Sequence, residues 1–457
     1  MNNSSKIEGA ATATAPQSPG NVAALYWLWA LGAVTVALTL ATPTAFRIGG
    51  DNYYMAMMIP AGLVALAATR IAEATQTKHA LLLIIAIAVL LRGYLLFIEP
   101  LLSTDIYRYV WDGRVQAAGI NPYRYVPAHE ALISLRDTAI FPNINRADYA
   151  VTIYPPVAQM FFFAITRLGE NITVMRLGML GCDAATAVII VSLLLRMGRP
   201  ATRLVAYAWH PLPMWEIANN GHVDALMVAL MMFGLWLAFA AKPLRGAAAI
   251  ALGVLAKPLA VVALPAIWRP WDWKMPALVA AIIGLCYLPY ASVGSAVFGF
   301  LANGYLNEEG LATGNYVWPL ALWRAIAGVV GPDVQIYFAA AALVLGAMAM
   351  TAALRTPRSI ESSVADIKRM LLVALLLLSP NYPWYFLVLV PFVALSGGAP
   401  AWAATIGALL LQEEADWGEF VPLLVRKSVL YAAVLLACGY SIWRMTPRTD
   451  RGRGKPQ

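Results

Sequence analysis

Ser103 to Pro127, STDIYRYVWDGRVQAAGINPYRYVP, packs two carboxylates, three arginines and five large aromatics into one short stretch. Read as a helix from Ser103 to Ala118, it places Asp105, Arg108 and Asp112 at i, i+3 and i+7, on one face. Gly119 then ends the helix, and Asn121-Pro122 turns the chain. A carboxylate so placed can take a proton from an attacking hydroxyl. The same pattern also suits a surface helix carrying ordinary ion pairs. More polar residues interrupt apolar sequence further on. His222 and Asp224 lie in the turn Asn219-Asn220-Gly221-His222-Val223-Asp224. Lys257 precedes Pro258 between two apolar runs, and Tyr382, Trp384 and Tyr385 follow another break. A lysine or arginine can hold a phosphate leaving group. The bland alternatives are helix capping at Gly221 and Asp224, an aromatic interface belt, and snorkelling of Lys257 and of Arg92. Because Met suits an apolar setting, Lys257→Met is expected to leave the chain folded.

These residues must be positioned by apolar elements. The chain has 457 residues, 61% hydrophobic and 12% charged, with a mean hydropathy of +0.67. Soluble domains carry roughly 25% charged residues, so the chain reads as an all-α polytopic membrane protein in the cell membrane. The net charge of +8 fits basic loops on the cytoplasmic side and calls for no nucleic-acid partner. Cys182, Cys286 and Cys438 share no metal-like spacing and read as inert thiols. No HExxH, Walker A or GxGxxG pattern is present, so no cofactor is expected and a divalent metal has no support in the sequence.

Residues 1–21 read as a disordered tail. Residues 22–443 form one transmembrane domain, and 444–457 a basic cytoplasmic tail. Apolar runs at 22–41, 54–72, 80–98, 177–195, 223–241, 275–290, 334–354 and 429–443, with shorter paired runs, predict roughly 12–14 transmembrane helices. Basic clusters around Arg199, Arg245 and Arg358 fall on one side. The long loops 99–156 and 291–333 and the acidic loop with Glu413, Glu414, Asp416 and Glu419 fall on the other, extracytoplasmic side. Val157 to Leu168 and Tyr316 to Val330 are half-length and read as helices lying at the membrane surface.

At Ser103 to Arg114, Gly119 to Tyr123, Tyr154-Pro155-Pro156 and the Asn220–Asp224 turn, the chain resembles the GT-C-fold glycosyltransferases. These are integral-membrane enzymes that use polyprenyl-phosphate sugars, and the likeness is to the bacterial mannosyltransferases among them. It covers most of Leu91 to Pro391. It implies a GT-C-like helical bundle whose long extracytoplasmic loops carry surface helices. It further implies Asp105 as catalytic residue, and transfer of one hexose, mannose first, with inversion from a polyprenyl-phosphate donor to a lipid-linked or envelope glycan acceptor. Tyr107 replaces the second acid of an Asp-x-Asp pair, leaving Asp112 as the second carboxylate. Lys257, Arg108, Arg114 and His222 are the candidate donor-phosphate ligands. Tyr109, Tyr123, Tyr154, Asn220, Asp224, Tyr382, Trp384 and Tyr385 are the candidate sugar or acceptor contacts. A transporter or flippase of lipid-linked sugars is the alternative, although no internal repeat supports it.

Overall fold

The structure is a computed structural model and describes residues 19–298, 304–327, 334–356, 358–412 and 422–445. The acidic residues Glu413, Glu414, Asp416 and Glu419, and nearly all of both tails, lie outside the described residues. The regular structure is all helical, with no strand among the described residues. Lipid-facing backbone must satisfy its hydrogen bonds within each segment, and apolar helices do so.

Six helices are long and apolar enough to cross a membrane, or seven if one bent pair is a single span. The first, Pro19–Ala74, is two helices meeting at a kink where Gly49 and Gly50 leave helical geometry, with φ −140° and +55°. The kink falls between the two apolar runs expected at 22–41 and 54–72. Four shorter apolar helices, Pro156–Thr166, Pro243–Val254, Pro383–Ser396 and Ala399–Leu411, add to the bundle. The difference from the expected dozen lies in these broken runs. Pro258, Pro383 and Gly397-Gly398 interrupt them below the ~20 residues that a bilayer crossing requires.

Three breaks in the helices matter for the site. The chain reverses direction between the π-helical segment Pro213–Asn219 and the helix Asp224–Phe239, which are bent by 117°. Gly221 sits at φ +70°, and a Cβ there would lie 2.5 Å from Ile106 Cδ1; only glycine fits both the conformation and the space. Lys257 is extended between the helix Pro243–Val254 and the short 3-10 turn Pro258–Ala263. Ser379, at φ +48°, ends the helix Ile360–Leu378 just before the aromatic tip.

Arg92 does not snorkel. Its side chain is 12% exposed and pairs with Asp183 at 2.6 Å, while the Tyr207 hydroxyl donates to the other Asp183 oxygen at 2.6 Å. A buried charge requires such partners, and they come from two other helices.

Candidate active site

The Ser103 stretch folds as a helix from Asp105 to Ala117. Gly119 ends it at φ +74°, and the Asn121 side chain accepts from the Tyr123 amide at 3.1 Å, closing the expected turn. The segment just before it is stitched to the Asn219–Asp224 turn. Asn219 accepts from the Leu101 amide at 3.0 Å and donates to the Glu99 carbonyl at 2.9 Å. Asn220 accepts from the Leu102 amide at 3.2 Å. This stitching sets His222 beside Asp105, with Nδ1 3.9 Å from Asp105 Oδ2. Asn145, from the same long loop, donates to Asp105 Oδ1 at 2.7 Å. Asp105 thus sits at a helix N-terminus, partly open, between an amide and an imidazole.

Asp112 lies elsewhere. It is buried, accepts from Arg108 Nε at 2.9 Å and from Gln159 Nε2 at 2.9 Å. Arg108 gives its remaining donors to the Ala150 carbonyl. Arg114 is held by Asp137 at 2.7 Å and Glu170 at 3.0 Å. Burial would raise the Asp137 carboxyl, but Arg114 and the amides of Ile140 and Phe141 outweigh this and hold it at about 2. These side chains tie the helix Asp105–Ala117 to the long loop and to Gln159 and Glu170, and none of Arg108, Asp112 and Arg114 lines the cavity described next.

The candidate aromatic contacts divide in the same way. Tyr109 is buried and stacked on Phe162 at 4.4 Å, and Tyr123 is buried with its hydroxyl donating to the Tyr154 carbonyl at 2.6 Å. Asn220 is fully buried. In contrast, Trp384 stacks on His222 at 4.3 Å and Tyr382 stacks on Trp384 at 4.3 Å. Tyr385 faces the Lys257 ammonium at 4.6 Å.

Lys257 Nζ pairs with Asp224 Oδ2 at 2.6 Å. Both line a cavity of about 430 Å³ together with Tyr154, Tyr385 and Glu309. Its remaining wall is mostly apolar, with Leu259, Val262, Leu345 and Leu375 among its residues beside Tyr305, Ser379 and Asn381. Glu309 accepts from Asn381 at 2.9 Å, and burial pushes its carboxyl up. Asn381 in turn accepts from the buried Lys427 at 2.8 Å. Beside the cavity, the Tyr305 and Tyr385 hydroxyls meet, and Arg146 pairs with Glu308 at 2.6 Å. Burial works against the Arg146 charge, but Glu308 and Asp105 keep it above the ordinary arginine range. Among the described residues, no three His, Cys, Asp or Glu side chains converge as a metal site would require.

The geometry therefore joins two halves: a carboxylate beside an imidazole, and a cation on the wall of an apolar cavity. The His222–Trp384 stack and the neighbouring Tyr385 link them. The family described as alpha-(1->6)-mannopyranosyltransferase, N-terminal domain, matches residues 20–272. The chain belongs to this family. Asp105, His222, Asp224 and Lys257 all lie within the matched segment.

Three relatives are similar in sequence. Alpha-(1->6)-mannopyranosyltransferase A of Corynebacterium glutamicum is 29% identical over 37% of this chain and 35% of its own length. The protein of the same name in Mycobacterium tuberculosis is 27% identical over 39% of this chain and 34% of its own. A probable alpha-(1->6)-mannopyranosyltransferase of Mycolicibacterium smegmatis is 29% identical over 41% and 34%. The matched segment thus spans about a third of each relative's length. No solved structure matches the chain significantly.

Sequence reasoning missed two site residues. Asn145 carries no local signal of its contact with Asp105. Glu216 did carry one, an ionisable residue inside the apolar run 204–218, and it lies fully buried with Oε2 3.4 Å from His222 Nε2.

Proposed function

We propose that this chain is a GT-C-class membrane mannosyltransferase. It moves one mannose from a polyprenyl-phosphate donor to a lipid-linked or envelope glycan acceptor on the extracytoplasmic face. The observation that carries this reading is Lys257, a fixed cation on the wall of an apolar cavity. An apolar cavity suits the prenyl chain, and a cation beside it suits the phosphate.

Asp105 is the base. The acceptor hydroxyl gives its proton to Asp105 as its oxygen bonds to the anomeric carbon. The bond from that carbon to the phosphate oxygen breaks, and the leaving phosphate gains charge beside Lys257. A site of reduced dielectric makes that one cation count for more than it would in water. Tyr385 on the cavity wall and Tyr382 at the end of the His222–Trp384–Tyr382 stack offer ring faces to the sugar. Asp112, Arg108, Arg114, Tyr109, Tyr123 and Asn220 support the scaffold in this reading, because none of them lines the cavity that holds Lys257.

The test supplies purified protein with labelled polyprenyl-phosphate mannose and membrane-lipid acceptors. A mannosylated product is expected from the wild type. Asp105→Asn should abolish turnover while keeping donor binding. Label that crosses the bilayer with no new glycosidic bond would favour a transporter instead.

A further inference from the structure

His222 is buried between two carboxylates. Its Nδ1 faces Asp105 Oδ2 at 3.9 Å and its Nε2 faces Glu216 Oε2 at 3.4 Å. Among the described residues, neither ring nitrogen has a hydrogen-bond partner, and neither does Glu216 Oε1. Trp384 covers the ring at 4.3 Å. Among the described residues, the other charged groups around this pair are Asp224 and Lys257, already joined to each other, and the buried Tyr54 hydroxyl is the further titratable group near Glu216. Glu216 sits on the π-helical segment Pro213–Asn219, a backbone form concentrated at functional sites. Asn220 donates to its Oε2 at 3.0 Å, which fixes the carboxylate toward the imidazole. A fully buried acid inside an apolar segment is costly unless it serves a purpose.

We propose that Glu216 is a positioning residue for the transfer, acting on Asp105 through His222. This rests on the reading of Asp105 as base. Glu216 Oε2 accepts the Nε2–H of His222, which fixes the tautomer and leaves the Nδ1 lone pair toward Asp105. Asp105 takes the acceptor proton as the new C–O bond forms and the bond to phosphate breaks. Asp105 then passes that proton to Nδ1, and Glu216 balances the imidazolium charge. The proton leaves by the same route, through the partly open Asp105, once product has gone. Both contacts must shorten by roughly 0.5–1 Å, as catalytic hydrogen bonds commonly do when substrate binds.

The experiment measures kcat, donor KM and the pH–rate profile of the full chain in lipid nanodiscs, with labelled polyprenyl-phosphate mannose. Glu216→Gln should lower kcat by about 10²-fold at unchanged KM. Its acid limb should move to lower pH, because a negative charge beside the base has been removed. Combining it with His222→Gln should be no slower than His222→Gln alone. Should Glu216→Gln fail to fold, His222→Gln carries the test through the rate: a loss of about 10²-fold in kcat at unchanged KM is expected, and wild-type kcat overturns the inference. Wild-type kcat in Glu216→Gln, or an unmoved limb with additive losses, overturns the inference. A dead Asp105→Asn beside a fully active Glu216→Gln overturns this inference alone. No transfer by the wild type, or full activity in Asp105→Asn, overturns the functional reading and this inference with it.

Discussion

Lys257→Met is the most informative perturbation, because the structure changes what it should do. Lys257 Nζ is 2.6 Å from Asp224 Oδ2, and the two side chains are 17% and 1% exposed. At an effective dielectric of about 20, two unit charges this close attract by roughly 6 kcal/mol before desolvation is subtracted. Removing the lysine leaves a buried, uncompensated carboxylate, which costs roughly 3–5 kcal/mol. The variant should therefore unfold far more readily than the wild type, and the sequence-based expectation of a tolerated change gives way. Lys257→Met combined with Asp224→Asn removes both charges and should recover most of that loss. Its transfer rate should nevertheless stay down by about 10²-fold, because no cation faces the leaving phosphate. Lys257→Arg keeps a charge but not the same point geometry, and should retain part of the rate. The assays are thermal unfolding in detergent and initial rates with labelled donor. Wild-type unfolding and wild-type rate in Lys257→Met would refute both parts of the reasoning. A stable and fully active double variant would refute the phosphate role and leave the ion pair standing.

Three further outcomes are expected. Gly221→Ala should destabilise the chain by about 1 kcal/mol or more, since it combines a left-handed backbone with a 2.5 Å approach to Ile106 Cδ1; adding Ile106→Val removes that atom and should restore part of the loss in thermal unfolding. Ala374 is buried on the cavity wall, so Ala374→Phe should raise KM for a long-chain donor by about tenfold while changing KM for a short-chain analogue less. Asp137, held at about 2 against an ordinary 3.8, contributes stability that is present above the ordinary value and lost as pH falls through about 2. Asp137→Asn should therefore flatten the acid decline in stability across that window, as read by unfolding temperature against pH.

By itself the sequence determined the helical membrane class, a helix over Ser103 to Ala118 that forms as Asp105–Ala117 with its Gly119 stop, and the three breaks at Gly221, Lys257 and Ser379. Each is a local matter. Apolar run length, glycine's access to positive φ and proline's missing donor act over a few residues. It also pointed to Asp105, Lys257 and Trp384, because polar or aromatic residues stand out against apolar sequence. Only the tertiary structure decided which charges are already paired. Arg114 meets Asp137 and Glu170, Arg92 meets Asp183, and Lys257 meets Asp224; these partners are far apart in the chain, and no local pattern encodes their meeting. Burial likewise took Tyr109, Tyr123 and Asn220 out of reach, since which face of a helix is covered depends on what packs there. Asn145 reached Asp105 from 40 positions along the same loop, whereas His222, with Glu216 behind it, reached Asp105 through the stitching of Leu101 and Leu102 to the Asn219-Asn220 turn. Those hydrogen bonds join residues about 118 positions apart, and they exist only once the bundle has closed.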